Sequence, residues 1–334
     1  MPASPNADNY TLGRGIVYFD KLVSGAYEGE RDLGNTSSFN ISQDMEKLEH
    51  FSSRSGLKAK DKIVVTQITP GLGFSLDEIN VENVALMFMG QVQSIVQAAA
   101  DALTETLSVV TGNRFFALAV RKIGVWKLEY DGGTALFARD EVVTGGTSTA
   151  TATVLRVVGD ATSGTLYLKS ITGTFDDDET LTGDVLGDAD VNGVAAFDAT
   201  DLAISDAAAN TTFYDKTTDF VVDADTGRVK IVKDGAIDVA AAAVDVEYAC
   251  EAATYTKVQA FKETSIEGRL RFVPDNPVGN NLECNFHRVN LTPGGEAALI
   301  GDEWQAFEFT GEILKDETGN PDSPYGDIIT EDTV

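Results

Sequence analysis

The sequence predicts a mainly β protein, a β-sandwich or partial barrel with one or two short packing helices and a small all-β inserted module. Short runs rich in β-branched and aromatic residues recur along the chain and are separated by turns that contain Gly, Asp and Asn. Strands do not alternate with helices in the manner that predicts a parallel nucleotide-binding sheet. The 334 residues suffice for one large or two ordinary domains.

The first elements are two strands and a charged loop. Residues 15–19 form the first predicted strand, and residues 37–42 form a second, in which apolar and polar residues alternate. The run 47–62 places charged residues among serines and a glycine, which predicts a long flexible loop. Residues 63–68 are rich in β-branched residues and predict a strand, which a Pro-Gly turn at Pro70 ends.

A helix is predicted over residues 75–89. Ser75 is a suitable N-cap, Glu78 three residues later completes a capping box, and Gly90 is a suitable C-cap. Residues 91–106 have helical composition and helical spacing of apolar residues, although an extended conformation fits them too.

The rest of the chain reads mostly as strands, with a hairpin at 219–232 whose turn contains Asp225 and Gly227. A proline after Thr292 predicts a short helix over residues 294–300. The further predicted strands are 114–120, 123–130, 150–158, 164–171, 179–182, 244–248, 255–262, 267–273, 282–291 and 304–314.

The composition changes near Phe137, and this change predicts the domain organisation. Between residues 137 and 199 the chain is rich in Gly, Thr, Ala and Asp, with short β runs at regular spacing, which predicts an inserted acidic β module. Residues 1–136 and 200–334 then form one discontinuous domain. The acidity is concentrated around the insertion, because residues 131–225 hold 18 Asp or Glu against 4 Lys or Arg.

The formal charge of −28 argues against ordinary nucleic-acid binding, which needs a basic surface. A hydrophobic content of 43% argues against disorder. The charge fits both a simply acidic soluble protein and a surface that lets a polyanion pass without binding it. No apolar run reaches the length of a membrane span, and the N-terminus lacks the pattern of a signal peptide, so synthesis in the cytoplasm is expected.

The residues that carry chemistry predict no enzyme. Only two histidines occur, His50 and His287, and no nucleophile-elbow, phosphate-loop or zinc motif accompanies them. Cys250 and Cys284 show no metal-binding spacing, and we expect both to be buried free thiols.

One motif suggests a binding site for a metal ion. Asp188, Asp190 and Asn192 match the start of a calcium loop, in which alternating oxygens converge on the cation. The twelfth position is Ala199 instead of Glu, and a solvated acidic turn is the other interpretation. No other cofactor is predicted.

Four segments together resemble the major tail tube proteins of long-tailed (siphovirus-type) bacteriophages. Residues 48–61 are similar to the long loop of that family, and residues 76–83 to its packing helix. The hairpin at 219–228 and the segment 310–316 fit the same family. The resemblance covers residues 10–136 and about 200–320, and the segment 137–199 departs from the compact form of the family.

The resemblance implies a structural virion protein. Such subunits form hexameric rings that stack around a tape measure protein, and tail terminator and tail-tip proteins are further expected partners. Viral DNA leaves through the channel without specific binding, and the subunit, made in the host cytoplasm, resides in the virion tail. The residues expected to contact a neighbouring subunit are Glu49, Arg54, Lys58, Lys60 and Lys62.

Two other interpretations remain open at the level of sequence. The first is another virion component, either a head decoration protein or a tail-completion protein. The second, from a different class, is an acidic β-module protein that binds calcium or glycans.

Overall fold

The computed structural model of the chain describes residues 10–54, 56–108, 111–240 and 242–330. Strands hold 57% of the chain and helices 4%, which confirms the predicted mainly β class. The chain divides into two compact units, one formed by the chain up to Ser94 and from Thr256 onward, the other by Ile95–Tyr255. Among the residues described, no helix is long and apolar enough to cross a membrane.

The helices and strands are short apart from one long pair of strands. In chain order they are β1 (Gly15–Val23), β2 (Ala26–Tyr27), β3 (Arg31–Asp32), β4 (Thr36–Ser52), β5 (Ala59–Leu76), α1 (Val81–Met87), β6 (Gln91–Gln97), β7 (Ala100–Leu107), β8 (Arg114–Ala117), β9 (Ile123–Ala135), β10 (Val142–Gly145), β11 (Thr151–Gly159), β12 (Gly164–Thr172), β13 (Thr180–Gly183), β14 (Asp188–Asp198), β15 (Ala203–Asp206), β16 (Phe220–Asp223), β17 (Arg228–Ile231), α2 (Ala236–Ala240), β18 (Val244–Cys250), β19 (Ala253–Gln259), β20 (Ile266–Pro274), β21 (Leu282–Gly294), β22 (Phe307–Ile313) and β23 (Gly326–Thr330).

The first unit is built on a nine-stranded antiparallel sheet in the order β2-β1-β20-β21-β22-β5-β4, with β3 paired to β1 and β23 to β21. One face of the sheet carries the core, because apolar side chains alternate along each strand. Phe74 and Phe309 are cross-strand partners in this core and their rings stack 5.1 Å apart. Leu86 and Met87 of α1 complete the core.

Helix α1 begins later than predicted. Ser75 and Leu76 still belong to β5 and pair with Glu308 and Phe307 of β22, so their backbone groups are already committed to the sheet. The N-cap is Asn80, whose side-chain oxygen accepts a hydrogen bond of 2.8 Å from the backbone N–H of Asn83. The predicted capping box at Ser75 is therefore wrong, and local pattern was outweighed by pairing with a distant strand.

The helix ends in a Schellman motif. The N–H of Gly90 donates to the carbonyl of Ala85 at 2.7 Å, and the N–H of Met89 donates to that of Leu86 at 3.1 Å. Met89, with φ of 45°, takes the left-handed position that glycine usually occupies. The helix stops near the predicted place, but Gly90 is one residue beyond the left-handed position.

Two other predicted helices are absent from the structure. Residues 91–106 form β6 and most of β7, because β7 pairs with β18 and its alternate side chains are partly buried. Residues 294–300 contain no helix, because Pro293 and Gly294 extend β21 opposite Phe309 and Glu308. Helix α2 was not predicted.

The second unit contains a closed six-stranded barrel. Its strands follow the order β12-β11-β10-β13-β14-β9, and β9 pairs again with β12, with Leu128 opposite Leu166, to close the ring. Aromatic and aliphatic side chains such as Tyr130 and Phe175 fill the interior. The small all-β module predicted from the composition is therefore a barrel that also uses β9.

Beside the barrel, the second unit has a further apolar cluster. Strand β18 pairs with β15, β7 and the start of β9, and β16, β17 and β8 form a three-stranded sheet. The predicted hairpin is confirmed, with Val222 opposite Val229. Phe220 and Tyr248 are buried in this cluster.

The division into units differs from the predicted domain boundaries. The predicted insertion began at residue 137, but β9, which ends at Ala135, is an integral strand of the barrel. The contacts place the boundaries near residues 94 and 255, so the second unit also takes in β7, β8 and β15 to β18. The chain passes from the first unit to the second within β6 and returns to the first within β19. These two strands pair as a two-stranded sheet.

Two buried glutamates hold turns of the barrel. The carboxylate of Glu141, 1% exposed, accepts hydrogen bonds from four backbone N–H groups: Ala138 at 2.6 Å, Val185 at 3.1 Å, and Leu186 and Gly187 at 2.7 Å each. Burial alone would raise the pKa of Glu141, but these hydrogen bonds outweigh it and the pKa lies below its usual value.

Glu179 is the second of these buried glutamates, and it holds a different turn of the barrel. Its carboxylate accepts from the backbone N–H groups of Thr147 at 3.0 Å, Ser148 at 2.8 Å and Asp176 at 2.8 Å, and from the Ser148 hydroxyl at 2.6 Å. Burial again opposes ionisation, and the hydrogen bonds again lower the pKa of Glu179 below its usual value.

The two glutamates belong to a short repeat, Asp-Glu-x-x-Thr-Gly, at residues 140–145 and 178–183. The repeats pair antiparallel as β10 and β13, with Thr144 opposite Thr182. A Cβ on the glycine of either repeat would lie within 2.5 Å of the glutamate of the other, so each glycine makes room for a buried carboxylate. The barrel therefore has an approximate internal two-fold relation.

Candidate assembly surface

A long two-stranded arm leaves the sheet of the first unit. We define the arm as residues 41–54 and 56–68, the outer parts of β4 and β5 with the described residues between them. Its base is anchored in the core, where Phe39 stacks on Phe272 at 5.2 Å and lies opposite Phe74. Beyond the base, the positions of β4 up to Phe51 and of β5 from Ala59 to Ile68 are exposed.

The apolar face of the arm base continues outward without cover. Cross-strand partners share a face of a sheet, and Ile41 with Leu72 and Met45 with Ile68 extend the row that begins at the core. Leu72 is buried, whereas Ile68 is 49% exposed. The exposed apolar residues of the arm are Ile41, Met45, Leu48, Phe51, Leu57, Ile63, Val64, Val65 and Ile68.

Two irregularities in register interrupt the arm. They lie between Glu46 and Lys47 and between His50 and Phe51, each opposite one extra residue of β5. At the second, the Nδ1 of His50 lies 2.5 Å from a carboxylate oxygen of Asp61. Such bulges twist a ribbon and limit edge-to-edge aggregation.

Strand β4 is also the last strand of its sheet. The sheet order ends β22-β5-β4, so the outer edge of β4 carries no neighbouring strand among the residues described. An exposed edge offers a row of backbone donors and acceptors to another chain. The arm therefore combines an open edge with uncovered apolar side chains.

The structure corrects the flexible loop predicted over 47–62. All five predicted contact residues lie on the paired arm, where Lys60 forms an ion pair with Glu49, and Arg54 and Lys58 lie in the turn region. Lys62 is opposite His50. The error arose because both faces are exposed, so apolar and polar residues do not alternate as they do in a half-buried strand.

The charge of the arm differs from that of the rest of the chain. The arm has five basic residues and four acidic ones within a chain of charge −28. Four of the five basic residues lie in its outer half, at positions 54, 58, 60 and 62. A basic tip on an acidic protein is electrostatically suited to contact another acidic surface.

The predicted calcium ligands do not form a loop. Asp188, Asp190 and Asn192 lie on β14, alternating with buried residues, so their side chains stand in a row along one face. In the described parts of the chain, no group of three or more His, Cys, Asp or Glu could hold a metal ion. The loop interpretation is wrong because the residues continue a barrel strand.

Asp188 and Asp190 are instead part of an acidic strip on the outside of the barrel. Asp190 lies directly opposite Asp131, and Asn192 opposite Glu129. We define the acidic strip as Glu129, Asp131, Asp188 and Asp190, all of which are exposed. Lys127, further along β9, pairs with Asp198 and Asp201 at 2.8 and 2.7 Å.

Repulsion between Asp190 and Asp131 is expected to lower the stability of the folded protein, and this effect can be measured. Like charges directly opposite each other destabilise a strand pair, so Asp190→Asn is expected to stabilise the protein by about 0.5 kcal/mol. The gain, measured by denaturant unfolding at low salt, should shrink in 1 M NaCl because salt screens the repulsion. Asp177→Asn is not a suitable control, because Asp177 accepts a hydrogen bond from Gly193. A loss of stability for Asp190→Asn would contradict the repulsion.

Sequence reasoning missed Glu141 and Glu179. The signal that could have identified them is the repeated Asp-Glu-x-x-Thr-Gly pattern, 38 positions apart, inside a module already predicted to be all-β. A glutamate that precedes a short apolar strand twice in one module suggests a structural role at equivalent places.

Taken together, the chain is a mainly β protein that carries an uncovered arm and an open sheet edge. It matches, over residues 10–124 and 169–329, the protein family described as "Protein of unknown function UCP028589". The matched residues are well over half of the chain, so the chain belongs to this family. The unmatched stretch 125–168 lies within the second unit, in the barrel from β9 to β12. No curated protein matches the chain.

Proposed function

We propose that the chain is a non-enzymatic structural subunit, the tail tube protein of a long-tailed bacteriophage or a related particle. Its copies would form stacked hexameric rings around a tape measure protein and a channel for DNA. The observation that carries this proposal is the arm, a two-stranded ribbon with nine exposed apolar side chains along an open sheet edge. Monomeric soluble proteins rarely leave such a surface uncovered.

Two further observations support assembly with other copies. The arm's basic tip would meet a partner whose surface is acidic, and every other copy of this chain is strongly acidic. Acidic side chains such as those of the barrel would also repel nucleic-acid phosphates. Such repulsion suits a channel through which DNA moves without being bound. Residues 48–61 and 76–83 resemble tail tube proteins, and this resemblance is our reason to propose a tube as the form of the assembly.

Electron microscopy of the purified protein in negative stain tests this function. We expect rings or tubes with an open bore. Subunits of such tubes can require an initiator, so the same sample is also mixed with the tape measure and tail-tip proteins of its own particle. Monomers in both conditions would overturn the proposal.

The basic tip provides a second test. Replacing Lys58, Lys60 and Lys62 with Glu should reduce self-association at least tenfold, measured by sedimentation velocity, because it reverses the charge that faces an acidic partner. Folding should change little, since exposed ion pairs contribute about 0–1 kcal/mol. The matched control replaces the exposed Lys233, Lys257 and Lys262 with Glu. Equal losses in both variants would mean that total charge, not the arm, governs association.

A further inference from the structure

An apolar turn stands at the outside of the barrel. Val185 and Leu186, in the turn between β13 and β14, are 63% and 69% exposed. The turn is fixed by Glu141, and by the N–H of Gly183, which donates to the carbonyl of Gly187 at 2.8 Å. The turn is therefore a preorganised apolar surface, and binding to it would require little ordering.

The internal repeat supplies a control for this turn. The equivalent turn after β10, residues 146–149, is also held by a buried glutamate: Glu179 accepts from the backbone N–H groups of Thr147 and Ser148 and from the Ser148 hydroxyl, and the sequence of the turn is Gly-Thr-Ser-Thr. A polar sequence therefore satisfies the structural demands of such a turn. The comparison indicates that the turn itself does not require Val185 and Leu186 to be apolar, so this exposed apolar pair is available for contact with a partner.

The charge beside the turn limits the kind of partner. Asp184 lies in the turn, and Asp188, the first residue of the acidic strip, follows it directly. Two copies of this surface would repel each other, which argues against contact between identical turns. The surface fits a partner that offers apolar side chains with basic ones around them.

The arm tip, which we define as residues 51–54 and 56–62, has this composition. Leu57 and Phe51 are 81% and 46% exposed, and the cations at positions 54, 58, 60 and 62 surround them in sequence. We propose that the β13–β14 turn and the acidic strip form the docking site for the arm tip of a second copy. This inference rests on the proposed role of the arm in assembly and adds the place where the tip binds.

Disulfide trapping between full-length variants tests the contact. Leu57→Cys protein, labelled with ¹⁵N, is mixed with unlabelled Leu186→Cys protein under mild oxidation. Mass spectrometry of the digest then identifies the disulfide that joins position 57 of the labelled copy to position 186 of the other. The native thiols Cys250 and Cys284 are buried and give little background. We expect the 57–186 disulfide to exceed the control at least tenfold, and to decrease at 1 M NaCl.

The control uses the equivalent turn, with Thr147→Cys in place of Leu186→Cys. Equal yields from the two turns, or no 57–186 disulfide, would overturn the inference. In a second measurement, Val185→Ser with Leu186→Ser should weaken association at least tenfold, whereas Thr147→Ala with Thr149→Ala should leave it unchanged. No difference between these two variants would also overturn it.

The test separates this inference from the proposed function. Tubes that form without the 57–186 disulfide would leave the proposed function standing and reject the docking site. A 57–186 disulfide in a protein that never forms rings or tubes would support the docking site and count against the tube.

Discussion

Replacing Ile63, Val64 and Val65 with Thr is expected to abolish assembly while leaving the fold intact. These side chains are about half exposed in the subunit, so their burial would occur on association. Full burial of an aliphatic side chain contributes on the order of 1.5–3 kcal/mol, so covering the exposed half of all three contributes roughly 2–4 kcal/mol, which corresponds to a loss of affinity of at least about 30-fold. Threonine keeps the β-branched shape, which preserves the strands of the arm.

The measurement is sedimentation velocity, supported by electron microscopy and thermal unfolding. The matched control replaces Val194, Val221 and Val278, which are similarly exposed outside the arm, with Thr. We expect control protein to assemble as the unmodified chain does, and the midpoint of unfolding to stay within about 3 °C for both variants. Unimpaired assembly of the arm variant would refute the role of the arm.

Glu141→Ala is expected to destabilise the second unit by about 3–5 kcal/mol. The change leaves four backbone N–H groups around a buried site without their acceptor, and each such loss costs about 1–3 kcal/mol when water does not replace it. Glu141→Gln should cost less, because the amide keeps one acceptor oxygen. Denaturant unfolding of the full chain measures both, with Glu129→Gln on the barrel surface as the control.

The lowered pKa values of Glu141 and Glu179 add a pH dependence. A carboxyl group whose pKa falls on folding stabilises the protein fully above its unfolded pKa, here about 4.5, and loses this contribution as the pH falls through the folded value. Unfolding free energy should therefore decline below about pH 4.5, and the decline should be shallower in Glu141→Gln. An identical acid profile in that variant would contradict the role given to Glu141.

Much of the fold followed from local pattern. Strands such as β1, β17 and β20 alternate apolar and polar residues on a half-buried sheet, and the hairpin at Asp223 to Arg228 has a clear turn sequence. Local pattern failed where a distant strand decided the conformation. Ser75 has every sign of a helix N-cap, yet β22 pairs with the backbone there and extends β5.

The candidate site was harder to predict than the core. The five arm residues were found as a charged segment, but the same exposure that makes the arm available to a partner removes the alternation that identifies a strand. Of the acidic strip, local sequence drew attention only to Asp188 and Asp190, because the opposing Asp131 is brought beside Asp190 by the pairing of β14 with β9. Register between distant segments is not encoded in local sequence.

The pairing of β6 with β19 bears on how this chain evolved. The polypeptide leaves the first unit along one of them and returns along the other, so the two ends of the second unit lie on neighbouring strands, and paired strands are about 5 Å apart. A domain whose ends are so close can be inserted or removed as a cassette without separating the ends it leaves behind. Genes that share the first unit could therefore exchange the second unit by recombination, and we expect some related chains to carry a different module at this place.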